Sequence, residues 1–536
     1  MKQGFRRFAF ASLPLALIFA TPAMAQSVSI GLSTEPTSVD PHFHNLVPNN
    51  ALRQHIFDGL TISDENMLVQ PGLATSWEAT SDTTWEFTLR EGVTFSDGSP
   101  FTAADVIYSY CRVPLIEGSP SSFTSFIADI VDIETPDDST IIFTTSGPSP
   151  LLPTNLAQVG IVSSAAFGGE NAEFGVDGCA NLGDLPASTD FANPENAIGT
   201  GPFILVNYTP GDAINLARND VYWGEAPAWE TVTLRPITNP GARVASLLAG
   251  DVDVIETPPI QDFENIQRSG FEIVQGLSNR VIYLHLDNGE DVPPGVSGTD
   301  GVNPFADVRV REAISKAINR DAIVDRVMGG FAVAAGELLP YPLFGTSPDA
   351  EPDPFDPDTA QALLAEAGFP DGFEITLFAP NDRYINDERI AQAVAQMLTR
   401  IGIRTNVDTM TASTFFGRRN TNDFGIWLAG WGAASGELSN PLTALVATRN
   451  TETGMGSTNR QNYSNPELDA LIIEARQTVD DDARRALLQQ ASKMAMEDYA
   501  TIPLHFEMTP WAYSPDFAVT PRVDQSTVAT GIRPAD

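Results

Sequence analysis

The stretch of residues 373–437 constrains the fold most strongly, because its pattern is typical of a βαβ unit. Phe373, Ile375 and Leu377 alternate onto one face, which predicts a strand over residues 373–379. An amphipathic helix is predicted over 387–400 and a second strand over 403–407. Such strands are parallel, and ligands bind outside their carboxyl ends. The chain is therefore predicted to be an α/β protein with a ligand site at this edge.

Several residues near that edge suit a binding pocket rather than catalysis. Residues 424–432 are predicted to form another strand that ends in aromatic and glycine residues, and glycine allows a backbone to approach a ligand closely. No nucleophile–base pair is evident here. The candidate ligand-binding residues of this stretch are Arg383, Tyr384, Gly430, Trp431 and Gly432.

The charge balance excludes several partners. The 536 residues allow two or three domains, and the net charge is −39. The sequence has three lysines, Lys2, Lys316 and Lys493. A chain this acidic is not suited to nucleic acid or to anionic membrane surfaces. We expect neither as a partner.

The N-terminal residues are typical of a secretory signal peptide. Lys2, Arg6 and Arg7 precede an apolar run over residues 8–20, and Ala23 and Ala25 form an A-x-A cleavage site. We predict a signal peptide over 1–25 with cleavage after Ala25. No later apolar run reaches 18 residues, so the mature protein is not expected to be embedded in a membrane.

Two cysteines, Cys111 and Cys179, are the only ones in the sequence. An even pair in an oxidising compartment favours a disulfide. The alternative is two buried free thiols, because Cys111 lies in a predicted apolar helix.

Further elements can be predicted along the chain. A hairpin is predicted over 76–90, and Thr102 and Asp105 form a capping box at the start of a helix. A helix is also predicted over 51–58, and strands over 281–286 and 502–506. His42 and His44 could ligate a metal, but polar loop residues are the preferred interpretation. No G-x-S-x-G or H-E-x-x-H motif is present, so an enzyme such as a secreted hydrolase is not predicted.

Several segments together resemble the family 5 extracellular solute-binding proteins, the peptide-, nickel- and opine-binding subunits of bacterial ABC importers. The resemblance is carried by the segments 73–77, 85–106, 198–203, 308–319 and 362–368. It extends along nearly the whole mature chain.

The resemblance implies a type II, cluster C periplasmic-binding-protein fold, with two α/β lobes hinged about a cleft and an extra domain inserted in lobe one. Lobe one is expected to comprise 26–65, 203–285 and 500–536, the extra domain 66–202, and lobe two 286–499. The implied function is capture of a solute in the periplasm by hinge closure and delivery to a membrane permease. A monomer without a cofactor or metal is expected.

The resemblance also assigns roles to individual residues. A peptide ligand's backbone is expected to pair with the segment from Asn45 to Val47 and with Gly430 to Gly432. Trp431 is expected to line a side-chain pocket, and Arg383 to bind the ligand carboxylate. The alternative for Arg383 is a structural ion pair with Asp382 or Asp387.

Two positions depart from the peptide-binding pattern. Ala434 and Asn45 replace acidic residues of the peptide-binding relatives, and a buried ammonium group without a carboxylate is poorly solvated. A carboxylate-bearing or amine-blocked ligand, such as an opine or a modified peptide, is therefore expected unless Glu437 substitutes. His285 is a further candidate for a polar contact. A nickel or other metal complex remains the alternative ligand.

Overall fold

The structure is a computed structural model that describes residues 26–175, 178–451 and 453–535. The predicted signal peptide over 1–25 lies outside the described residues. No helix of the described part is long and apolar enough to cross a membrane.

One mixed sheet runs through the molecule, and twelve strands of the described chain belong to it. Ten of them follow one another across the sheet in the order Phe203–Thr209, Ala213–Arg218, Thr231–Pro236, Ser27–Leu32, Val254–Glu256, Ile502–Tyr513, Glu272–Leu286, Ile426–Gly432, Glu374–Pro380 and Val296–Ser297. Two more are attached beside this path, Ala332–Ala334 next to Ile502–Tyr513 and Arg404–Met410 next to Glu374–Pro380.

Two long antiparallel strands, Glu272–Leu286 and Ile502–Tyr513, connect the two lobes. At one end of this pair, Ile502–Tyr513 bonds to Val254–Glu256 of the first lobe. At the other end, Glu272–Leu286 bonds to Ile426–Gly432 of the second lobe. The register between the two long strands shifts between Leu277 and Val281. We name them the connecting strands. Both are longer than the strands predicted over 281–286 and 502–506.

The predicted βαβ unit is present. Strand Glu374–Pro380, helix Asp387–Arg400 and strand Arg404–Met410 follow one another, and the two strands are parallel. The helix buries its apolar stripe in the core of the second lobe, because these side chains recur every three or four residues. Ile390, Val394 and Leu398 are all fully buried there.

A separate four-stranded antiparallel sheet lies within the predicted extra domain. Its order is Ala74–Ser81, Thr84–Leu89, Thr140–Thr145 and Ile130–Asp137, and the first two strands form the predicted hairpin. Helix Ala103–Arg112 packs on it and starts with the predicted capping box. A disulfide joins Cys111 of this helix to Cys179, with their Cα atoms 5.7 Å apart. The domain boundaries themselves stay predictions.

Other elements complete the described structure. The predicted helix over 51–58 starts earlier and spans Val47–Ile56, with Pro48 in its first turn, where the missing N–H costs nothing. Short strand pairs are Thr61–Ser63 with Val69–Pro71, Glu173–Gly175 with Gly178–Ala180, and Phe517–Val519 with Ile532–Pro534. The remaining α-helices are Thr124–Ile127, Leu152–Leu156, Pro240–Ala249, Phe263–Arg268, Val308–Ala317, Arg320–Ala322, Pro357–Glu366, Ala412–Asn420, Ser439–Pro441, Pro466–Gln477 and Asp481–Glu497.

Candidate ligand-binding cleft

A cavity of about 550 Å³ lies where the first lobe meets the inner end of strand Ile426–Gly432. On the first-lobe side it is lined by helix Val47–Ile56, by the following residues to Met67, and by part of the C-terminal segment 522–533. Asn279 and Arg280 of a connecting strand close the other side. Three of the predicted site residues line this cavity, namely Val47, Gly432 and Ala434.

Strand Ile426–Gly432 has one edge that is only partly paired, and its last residue, Gly432, lines the cavity. One edge bonds along its full length to a connecting strand. The other edge pairs with Leu377 and Phe378 only, opposite Ile426 and Trp427. Within the described residues, no strand pairs with this edge from Leu428 to Gly432. We name this segment the free edge. An extended ligand backbone can add to such an edge as a further strand.

Tyr384 lies directly beside the free edge. Its hydroxyl donates a hydrogen bond of 3.1 Å to the carbonyl of Gly430, and its side chain is buried. A Cβ at position 430 would lie 2.7 Å from the Tyr384 ring and from Ile282. Glycine is therefore required at 430 by this packing, whether or not a ligand approaches there.

Arg383 projects at the same place and remains free to bind an anion. Its guanidinium lies 5.3 Å from the centre of the Tyr384 ring, and the side chain is exposed. It forms no ion pair with any residue that the structure describes. The two alternative partners have other roles: Asp387 accepts the backbone N–H groups of Arg383 and Tyr384, and Asp382 accepts that of Ala412.

Behind this edge, a buried ion pair holds the connecting strands to the second lobe. Arg280 Nε lies 3.4 Å from Glu507 Oε2, and the backbone N–H of Ile385 donates to Glu507 Oε1. Burial raises the pKa of Glu507, and the charge of Arg280 opposes this shift. Arg280 also donates to Gln525 of the first lobe. This pair was not predicted from the sequence, although Arg280 is the single cation at the start of an apolar strand.

The segment predicted to pair with a ligand in the first lobe has partners inside the chain. The backbone N–H of Asn45 donates to the carbonyl of Ser121, and the Asn45 side chain accepts from Asn50. Val47 begins the helix that lines the cavity. This segment therefore contributes the cavity wall through Val47, while the Asn45 N–H already has a partner in the chain.

The solvent exposure of the side chain differs among Trp431, Ala434 and Glu437. Trp431 is half-buried and donates through Nε1 to Asn440. Ala434 is exposed at the cavity. Glu437 is only 3% exposed, and its carboxylate lies 3.3 Å from Arg484 Nε and accepts the Ser439 hydroxyl. Burial raises the pKa of Glu437 despite the nearby Arg484. Glu437 is thus not among the residues that line the cavity at Ala434; it lines a second cavity together with Ser439.

The candidate histidines His42, His44 and His285 are not among the residues that line the cavity. His285 is buried on a connecting strand, opposite Trp427 in the sheet, with the two ring centres 5.3 Å apart. His42 shares a hydrogen bond with the Gly160 carbonyl, and His44 with the Thr37 hydroxyl. The described residues contain no group of three or more His, Cys, Asp or Glu placed to hold a metal ion.

Comparison with known proteins agrees with this architecture. The sequence model described as "Bacterial extracellular solute-binding proteins, family 5 Middle" matches residues 69–453. The chain belongs to this family of bacterial extracellular solute-binding proteins. It is the substrate-binding subunit of an ABC importer, and its partners are a solute and the membrane permease.

Two curated relatives and one solved structure illustrate the similarity. The glutathione-binding protein GsiB of Salmonella typhi is 27% identical over 508 residues, covering 93% of this chain and 92% of GsiB. The periplasmic oligopeptide-binding protein OppA of Salmonella typhimurium is 28% identical over 536 residues, covering 92% of each chain. HbpA2 from Haemophilus parasuis superposes with a TM-score of 0.78 at 24% identity, over 95% of this chain and all of HbpA2. The two curated relatives are binding proteins.

Proposed function

We propose that the ligand is a peptide-like molecule with a free carboxylate and no free α-amine at the position of Ala434. The observation that carries this proposal is the free edge from Leu428 to Gly432, with the unpaired Arg383 beside it. Backbone hydrogen bonds along the edge supply affinity for any extended amide chain. The curated relatives that bind glutathione and oligopeptides support this ligand class.

The carboxylate is assigned to Arg383. A guanidinium binds a carboxylate through two parallel N–H···O bonds, which are stronger than neutral hydrogen bonds. Arg383 is available for this because its neighbouring carboxylates already accept backbone N–H groups. The ligand therefore supplies the counter-charge that the chain does not.

The absence of a free amine follows from the surroundings of residue 434. An ammonium group that leaves water needs a carboxylate or several acceptors. Ala434 offers neither, and Glu437 is occupied by Arg484 and Ser439. An amine-blocked peptide or an opine-like ligand avoids this cost.

Binding is coupled to closure of the lobes about the connecting strands. The two strands are the continuous sheet connection between the lobes, and their register shifts near Leu277 and Val281. A ligand that contacts Val47 in one lobe and Gly432 in the other favours the closed form, because it gains both sets of contacts only there. The closed form is what the permease recognises.

We place the mature protein in the periplasm, starting at Gln26 after removal of the signal peptide over 1–25. The basic and apolar N-terminal pattern and the A-x-A site support this placement. Intact mass of the protein from a periplasmic extract tests it. A mass that retains residues 1–25 would contradict it.

A thermal-shift panel on ligand-stripped protein tests the ligand class. It compares a tripeptide, its N-acetyl form, and the N-acetyl form with a C-terminal amide. A ligand at 100 times its Kd stabilises by about 2.7 kcal/mol, which is readily measured. We expect the N-acetyl acid to stabilise most. Stabilisation by the free-amine peptide alone, or equally by acid and amide, would overturn the proposal.

A further inference from the structure

Strand Ile426–Gly432 and the neighbouring connecting strand form a sheet, and Trp431 lies on one face of it. By strand register, Val281 lies opposite Trp431, Tyr283 opposite Ala429, and His285 opposite Trp427. Successive residues of a strand point to opposite faces, so these odd-numbered residues share one face. Tyr283 and Trp427 belong to the apolar cluster of that face, with Phe415 and Phe424.

Several hydrogen-bonding nitrogens on this side are shielded from solvent and have no partner among the described residues. His285 and Trp427 are each 1% exposed, and their Nε2 and Nε1 atoms are unpartnered. Nε of Arg419 and both Nε and Nη1 of Arg460 are also shielded and unpartnered, although these two side chains are only half-buried and Arg419 Nη2 donates to Asn420 Oδ1. Buried polar groups in folded proteins are nearly always hydrogen-bonded, so a cluster of exceptions needs an explanation.

The chain connections bring these residues together. Arg419 lies in helix Ala412–Asn420, which precedes the strand that carries Trp427. The backbone N–H of Asn288, just beyond the end of the strand with His285, donates to the carbonyl of Gln461 at 2.6 Å. This bond places Arg460 and its loop beside the same strand end. Asn288 Oδ1 and Gln461 Oε1 there are also unpartnered.

The charges in this cluster repel one another. After burial, the positive charge of Arg419 is the cause that lowers the pKa of His285. Burial, Arg449 and Arg419 all lower the pKa of Arg460. Neither Arg419 nor Arg460 forms an ion pair with a described residue. Cations that lie close together without a counter-ion repel one another, so this arrangement suits an anion that arrives from outside.

We propose that Arg419, Arg460 and Trp427 form an anion subsite in the second lobe, and that it binds a second carboxylate of the ligand. The inference rests on the proposed peptide-like ligand and narrows it to peptides with two carboxylates. Arginine and indole N–H groups can donate hydrogen bonds to carboxylate oxygens. The unpartnered amide oxygens of Asn288 and Gln461 can accept a hydrogen bond from a ligand N–H group beside that carboxylate.

The subsite adjoins the free edge. Trp427 is the residue immediately before Leu428, where strand pairing on that side ends. Burial is the largest cause that raises the pKa of Tyr283; Tyr384 raises it further, and the charges of Arg419 and Arg280 lower it. Tyr283 therefore lies near both the free edge and the subsite. An extended ligand on the edge can therefore direct an acidic side chain into the subsite.

The first test needs no peptide. Thermal stability is measured in sodium malonate and in sodium chloride of equal ionic strength for the unsubstituted protein, Arg419→Gln, Arg460→Gln and Arg326→Gln. Arg326 is an exposed arginine of the same lobe and serves as the matched control. We expect malonate to raise the melting temperature of the unsubstituted protein and the control, and the gain to be clearly smaller in the two subsite variants, which keep Arg383.

The chloride data give a second expected result. Because each subsite substitution removes a repelling charge, Arg460→Gln should be at least as stable as the unsubstituted protein in chloride. An equal malonate gain in all four proteins would overturn the subsite.

The second test separates this inference from the proposed function. Titration calorimetry compares N-acetyl-Ala-Glu-Ala with N-acetyl-Ala-Gln-Ala. We expect at least a tenfold preference for the glutamate peptide, lost in Arg460→Gln and kept in Arg326→Gln. Equal affinity for both peptides in the unsubstituted protein would overturn the subsite alone. Failure of both peptides to bind, with the malonate response intact, would overturn the peptide-like ligand and leave the anion subsite standing.

Discussion

Replacing Ala434 by aspartate should create affinity for a free α-amine. Ala434 is exposed at the cavity, so the substitution places a carboxylate in the cleft without disturbing the core. The loop that carries it is fixed, because Asn279 Nδ2 donates to the carbonyl of Ala433 at 3.0 Å. The new carboxylate should therefore have a defined position relative to the ligand.

The expected size of the effect follows from one charge-assisted hydrogen bond. Such a bond contributes about 1.5–3 kcal/mol, which corresponds to roughly 10- to 150-fold in Kd. Arg280 lies close by, since one of its nitrogens is 3.3 Å from a Cβ built at Gly432, and it competes for the new carboxylate. We therefore expect the lower end, about 10-fold.

Titration calorimetry with a tripeptide and its N-acetyl form measures the effect as a ratio of affinities. The ratio should shift towards the free amine by about 10-fold in Ala434→Asp. Ala434→Asn, which has the same shape without the charge, is the control and should leave the ratio nearly unchanged. An unchanged ratio in the aspartate variant would refute the assignment of the ligand's blocked end to this position.

Three further predictions concern other parts of the molecule. Arg383→Ala should weaken a C-terminal acid by at least about 10-fold but not its amide, measured by calorimetry; equal losses for acid and amide would remove Arg383 from carboxylate binding. Glu437→Gln should lower the free energy of unfolding by about 3 kcal/mol, because the buried Arg484 then keeps only the exposed Asp481 as an ion-pair partner among the described residues. The acetyl-to-amine affinity ratio should not change; a changed ratio would show that Glu437 contacts the ligand. Changing Cys111 and Cys179 together to serine should cost about 4 kcal/mol in chemical denaturation, given their separation of 68 residues, and an undiminished midpoint would show that the bridge adds no stability.

Local patterns made the βαβ unit predictable from the sequence. Apolar alternation over 373–379 and the helical period over 387–400 depend on near neighbours, and the structure has strand Glu374–Pro380 and helix Asp387–Arg400 there. The capping box at Thr102 is equally local.

The connecting strands were predicted only in part. Polar residues Ser278 and Asn279 interrupt the alternation of one strand, and Pro510 interrupts the other. Pairing between the two strands overrides these weak local signals and extends both across the lobes. Burial of Ser278 and Asn279 is possible because each donates to a carbonyl, of Glu507 and Ala433 respectively.

Some residues of the candidate site could be predicted from the sequence and others could not. Arg383 and Trp431 could be proposed from residue type and from the family resemblance. The Arg280–Glu507 pair and the cluster of Arg419, Arg460 and His285 join residues that are far apart in the chain. No local period or motif marks such clusters, so they became visible only in the folded structure.

Hydrogen–deuterium exchange along strand Ile426–Gly432 tests the central claim most directly. The measurement compares ligand-free protein with protein saturated by the peptide that stabilises it most in the thermal-shift panel. We expect slower exchange on binding for those backbone N–H groups from Leu428 to Gly432 that point away from the connecting strand, because the ligand backbone pairs with the free edge. Unchanged exchange in this segment, with protection gained elsewhere in the cleft, would contradict binding by strand addition.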